Sequence, residues 1–152
     1  MASAKKTSVF LLFTFLLLGC GGPSQENSTH DGKAPAVNLI GTTWTLEELE
    51  GKPAIAHTKS TLTFLDGGRV AGSGSCNRYM GPVAINGETI HFGPLAGTKM
   101  TCDPTSSGQE TIYLKNLEAA KKFALSNGKL LIYVNSSDES MRFRPATPEE
   151  SK

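Results

Sequence analysis

From Leu39 onward the chain is built of short apolar alternations punctuated by Asp-Gly and Asn-Gly turn signals. One stretch, Pro104 to Leu125, departs from that pattern toward helical spacing. Together these predict a mainly β fold of the α+β kind: a strongly bent antiparallel sheet or small barrel with one packed helix. A third observation bears on how the sheet is held. Cys76 and Cys102 are the two cysteines of this region, and the third, Cys20, stands well before it.

At 152 residues the chain has room for one domain of moderate size once its ends are discounted. The start reads as an address. Lys5 and Lys6 precede the apolar run Val9 to Leu18, which is too short to span a bilayer, and Leu17-Leu18-Gly19-Cys20 resembles the lipobox of bacterial lipoproteins. Residues 1–19 are therefore expected to be a signal peptide, with lipid attached to Cys20. Gly21 stands after it in place of Asp, so the resemblance to sorted lipoproteins implies the outer membrane, facing the periplasm. Residues 20–38 are polar and rich in Gly, Pro and Ser, the composition of a flexible tether. A coil of about 18 residues reaches on the order of 20–25 Å. Asn27-Ser28-Thr29 and Asn135-Ser136-Ser137 match a glycosylation sequon that a bacterial chain would not use.

The domain follows, over residues 39–144. Trp44 and Leu46 alternate with Thr43 and Thr45, and Leu62 and Phe64 with Thr61 and Thr63. Asp66-Gly67 then offers a type I′ hairpin turn into Arg69-Val70-Ala71. Val83 and Ile85 lead into Asn86-Gly87, and Ile90 and Phe92 follow, so a second hairpin with the same turn chemistry is expected. Ser107-Gly108-Gln109-Glu110 fits a capping box. Behind it Tyr113, Leu117, Ala120 and Ala124 recur at helical spacing, with Glu118 and Lys122 four apart on another face. Asn127-Gly128 introduces the strand-length run Leu130 to Val134, Met141 to Arg144 alternates as a last strand, and the polar residues 145–152 read as a disordered tail.

The densest cluster of unusual residues is Gly72-Ser73-Gly74-Ser75-Cys76-Asn77-Arg78-Tyr79-Met80-Gly81. A phosphate-binding loop would need Gly-Lys-Ser/Thr and a helix directly after it, and neither follows. Glycines such as Gly74 and Gly81 let a strand bend and backbones approach, and Asn77 can satisfy a turn through its side chain. A nucleophilic Cys76 would need a base, and His57 and His91 are the histidines inside the domain. Cys76, Cys102 and His91 could in principle hold a metal, but the close paired spacings of zinc motifs are missing. Lipidation of Cys20 leaves Cys76 and Cys102 as a pair in an oxidising compartment, which favours a structural disulfide over either alternative.

Trp44-Thr45-Leu46, Gly74 to Gly81, Thr98 to Cys102 and Glu110 ahead of a Leu-containing helix, in that order, resemble the META domain of small heat-inducible bacterial envelope lipoproteins. The resemblance implies a compact, mainly β domain with a helix and possession of no catalytic residues that carry over. The leading expectation is a non-enzymatic binding or assembly module, stress-related and lipid-anchored, with an envelope protein or small ligand as partner and no cofactor. A carrier of a small apolar ligand inside the bent sheet is the alternative, and a thiol enzyme using Cys76 a third. Charge argues against nucleic acid. Of 15 basic residues Lys5 and Lys6 leave with the signal, and 14 acidic residues balance the rest.

Overall fold

The computed structural model describes residues 38–134 and 139–150. The expected signal peptide, Cys20, the tether up to residue 37 and the sequons at Asn27 and Asn135 lie outside the described residues. Ten strands and one helix are described: β1 (Thr43–Leu49), β2 (Lys52–Pro53), β3 (Thr61–Leu65), β4 (Arg69–Ser73), β5 (Arg78–Asn86), β6 (Thr89–Phe92), β7 (Ala96–Gly97), α1 (Pro104–Ala119), β8 (Lys122–Ser126), β9 (Lys129–Tyr133) and β10 (Glu139–Pro145).

All pairings are antiparallel, and neighbours run β10, β9, β8, β6, β5, β4, β3, β1, β2. Because β1 also pairs along β10, Trp44 opposite Pro145 and Leu49 opposite Met141, the path returns on itself as a strongly curved ring of strands. A bulge between Leu46 and Glu48 lets β1 turn Trp44, Leu46 and Leu49 all inward. The period-two pattern does the same elsewhere, burying Leu62, Phe64, Val70, Ile90, Phe92, Phe123, Leu130, Ile132, Met141 and Phe143. Each large apolar side chain buried this way stabilises the fold by roughly 1.5–3 kcal/mol before entropy is counted. The ring is thinnest between β6 and β8, where Thr89 faces Lys122 and two backbone bonds, Ile90 N to Lys121 O and Phe123 N to Glu88 O, carry the join. Beside that join α1 packs on β6.

The turns differ in detail from those expected. Leu65 pairs with Arg69, so the first hairpin has a three-residue loop in which Gly67 and Gly68 both take positive φ. Asn86 pairs with Thr89, which moves the second turn to Gly87-Glu88 with positive φ at the glycine alone. At Asn127-Gly128 both residues have positive φ, as a type I′ turn requires. Glu50-Gly51 repeats that pair of conformations between β1 and β2.

The helix is corrected at both ends. Asp103 is its N-cap, accepting from the amides of Thr105 and Ser106 with Pro104 in the first turn, and these bonds, Ser106's hydroxyl foremost, hold the Asp103 carboxyl below its ordinary pKa. The helix stops at Ala119 because the next segment is taken by the sheet: Ala124 lies in β8 opposite Leu131, so it belongs to no helical stripe. Lys122 likewise sits in β8, and Glu118 accepts instead from the Leu95 amide at 3.1 Å. The buried face of α1 is half polar: Ser106, Gln109 and Asn116 beside Tyr113 and Leu117.

The chain after β10 folds back on the sheet. Ala146 N donates to Thr43 O, and the Glu150 carboxylate receives both guanidinium nitrogens of Arg144 at 2.8 Å. These bonds hold the expected disordered tail at least as far as Glu150.

Candidate functional site

The helix docks through polar side chains, and their targets are the residues of the glycine-rich turn between β4 and β5. Glu110 Oε2 accepts from the amides of Asn77 (2.6 Å) and Cys76 (3.1 Å), and Oε1 accepts from Asn77 Nδ2 at 2.8 Å. Asn77 Oδ1 in turn accepts from the Thr98 hydroxyl at 2.9 Å and the Met100 amide at 2.7 Å. One asparagine thus ties the turn to α1 on one side and to the segment after β7 on the other. The Cys76–Cys102 disulfide joins the turn to that second segment again, with the Cα atoms 6.1 Å apart.

The glycines are explained by these approaches. A Cβ on Gly74 would fall 2.7 Å from Glu110 Oε2, and one on Gly81 would meet the Leu95 side chain at 2.7 Å and Pro94 O at 2.9 Å. Ser75 is the cost: its φ of 117° lies in the left-handed half of the map, where a side chain is strained by about 1–3 kcal/mol. Its hydroxyl is fixed by Gln109 Nε2 at 2.7 Å and by Ser60 Oγ at 2.7 Å. Gln109 Oε1 accepts from the Ile55 amide at 2.8 Å, so the loop before β3 is fastened to the same point.

Beneath this clamp Tyr79 and Tyr113 meet edge to face, with hydroxyls 2.9 Å apart, and both reach Thr61 O. Burial pushes both phenols above their ordinary pKa, so they stay neutral hydrogen-bond partners. Tyr113 also packs on Phe143, filling the ring's interior from the helix side.

Of the residues singled out in the sequence, Gly74, Cys76, Asn77 and Cys102 come together here, while Gly81 serves the packing of Leu95 further along β5. The alternatives for Cys76 do not assemble. Its sulfur is bonded to Cys102; His91 is exposed on β6 opposite Ala84, and His57 is exposed in the loop before β3. Among the described residues no three His, Cys, Asp or Glu side chains are placed to hold a metal ion. In sequence a local cap accounts for Gln109 and Glu110, whereas in the structure both side chains bond to residues far along the chain. The polar residues Ser106, Gln109 and Asn116 at helical spacing with Tyr113 and Leu117 were the signal that could have found them.

The META domain family model matches residues 37–147 of the chain. No curated protein matches it. Two solved structures are similar in fold. An NMR structure of a protein from Burkholderia xenovorans is 24% identical, with a TM-score of 0.56, over 72% of this chain and 84% of its own. A second NMR structure is 21% identical at the same TM-score of 0.56, over 70% of this chain and 90% of its own.

Proposed function

Since the chain belongs to the META domain family, we propose that it is a non-enzymatic lipoprotein of the bacterial envelope, a binding or assembly module with a stress-related role. Cys20 holds it at the outer membrane on the periplasmic side. One observation carries the non-enzymatic reading: the groups of its densest motif are spent on one another. The Glu110 carboxylate receives three N–H groups, Asn77 bridges two segments and Cys76 has its sulfur in a bridge. A nucleophile or general base needs an uncommitted atom facing a substrate. The bridge also suits a compartment in which disulfides persist.

A packed interior weighs against the carrier alternative. Leu62, Val70, Ile90, Leu130, Ile132, Tyr113 and Phe143 are wholly buried where an apolar ligand would have to sit. The anchor is tested on protein from its native host. Mass spectrometry of the mature N-terminus should find Cys20 acylated, and Cys20→Ala should shift the protein from the membrane to the soluble envelope fraction. An unmodified Cys20 thiol on mature material overturns the anchored reading.

A further inference from the structure

Small residues line the outer face of the ring across β3 and β4, with the longer Arg78 and Met80 of β5 beside them. Thr63 lies opposite Ala71, Ala71 opposite Met80, and Ser73 opposite Arg78. Short side chains on a sheet leave a trough, here an open groove of about 430 Å³ whose sheet-side lining includes Lys59, Thr61, Thr63, Ser73, Arg78 and Met80. That lining brings two cations and several hydroxyls, and its carboxylates, Glu149 and Glu150, come from the tail alone. A second groove of about 430 Å³ runs past Thr45, Ile55 and Arg144, and Lys59 and Glu150 border both. On its wall Glu47 is neutralised by Lys129 at 2.7 Å and Glu48 by Arg142 at 2.9 Å.

Where the grooves meet, a built carboxylate site is occupied by Glu150. Arg144 grips both carboxylate oxygens at 2.8 Å, the Thr45 hydroxyl donates at 3.2 Å and Lys59 Nζ stands at 3.9 Å, while the tail adds a bond of its own from the Thr147 amide at 2.9 Å. Although near the end of the chain, this side chain is 7% exposed. A bidentate guanidinium with further donors is the arrangement by which a surface recognises an acidic side chain. The occupant is carried there by a short tail that leaves the sheet at Ala146.

We propose that this is a docking site for an acidic segment of a partner protein, and that the chain's own Thr147-Pro148-Glu149-Glu150 holds it until a partner glutamate displaces Glu150. The proposal rests on reading the domain as a binding module and is independent of the anchor at Cys20. Tethering presents the tail at an effective concentration on the order of millimolar, so the latched chain binds a competitor more weakly than its intrinsic affinity by the fraction unlatched.

The test uses the purified full chain and a capped Ala-Thr-Pro-Glu-Glu peptide as probe, with calorimetry as readout. Glu150→Ala should bind the probe at least about tenfold more tightly than the unmodified chain. Adding Arg144→Met should abolish that binding, as should a probe with both glutamates replaced by glutamine. No saturable binding to a folded Glu150→Ala chain overturns the proposal, and so does equal competition by glutarate, which would mean that a carboxylate alone is read. Should that variant fail to fold, NMR of the unmodified chain decides: millimolar probe must shift the Thr147 amide, and a stationary signal refutes displacement. Mature protein from the native host that carries a free Cys20 thiol and still binds the probe would sink the anchor and leave the docking site standing.

Discussion

A single carboxylate decides whether the turn and the helix fit. Glu110 is matched to three N–H donors, two of them the backbone amides of Cys76 and Asn77 in the turn. Glu110→Gln keeps shape and volume but brings an amide donor to face donors whichever way it is turned. The cheaper orientation gives up Asn77 Nδ2, and every remaining bond loses its charge assistance. A loss of about 2–3 kcal/mol is expected, read as a lowered denaturation midpoint at unchanged m-value. Gly74→Ala should destabilise through the same contact from the other side, because its Cβ would have to displace that carboxylate. An unchanged midpoint for Glu110→Gln would mean that the clamp contributes nothing net. Sequence reading found the glycines, Asn77 and the cysteines because they are rare residues in a short span. It missed the geometry of Glu110 because the local fit to a capping box was equally good, and a local pattern cannot say that the partner lies 33 residues away.

Among the elements, those fixed by neighbouring residues were legible and those fixed by distant ones were not. Asn127-Gly128 specifies its hairpin by backbone conformation alone, and Leu62 and Phe64 declare a half-buried strand by alternation. Lys122–Ser126 carries a helix-compatible sequence, yet pairing with β9, Phe123 opposite Ile132, overrides that propensity. The disulfide belongs to this scale because it fastens the β4–β5 turn to the segment leading into α1. Closing 26 residues, it should stabilise by about 3–4 kcal/mol on the chain-entropy account. Replacing both Cys76 and Cys102 with Ala should lower Tm by roughly 10–20 °C. The far-ultraviolet circular dichroism should remain that of the parent, since Asn77 and Glu110 still hold the same segments together. Loss of the folded spectrum at ambient temperature would show that the hydrogen bonds alone cannot close the turn.

At the scale of the whole molecule the ring and its helix share one buried point, the Tyr79, Tyr113 and Thr61 triangle, so its titration reports on global unfolding. Both phenols have pKa values raised in the folded state, chiefly by burial; for Tyr79 the bond from Tyr113 partly offsets this, whereas for Tyr113 the neighbouring Tyr79 adds to it. Groups with a raised folded pKa leave stability intact below the unfolded value, about 10 for tyrosine, and erode it as pH climbs from there toward the folded value. Through that window each of the two contributes a loss of about 1.4 kcal/mol per pH unit, because the unfolded chain releases a proton that the folded one retains. The expected outcome of an alkaline titration is therefore a late, cooperative step in tyrosinate absorbance that coincides with loss of the β-sheet signal, with Tyr79→Phe removing about half of the paired ionisation. Gradual ionisation of both residues near pH 10 with the sheet intact would show that the triangle is open to water, and that the helix does not seal the ring.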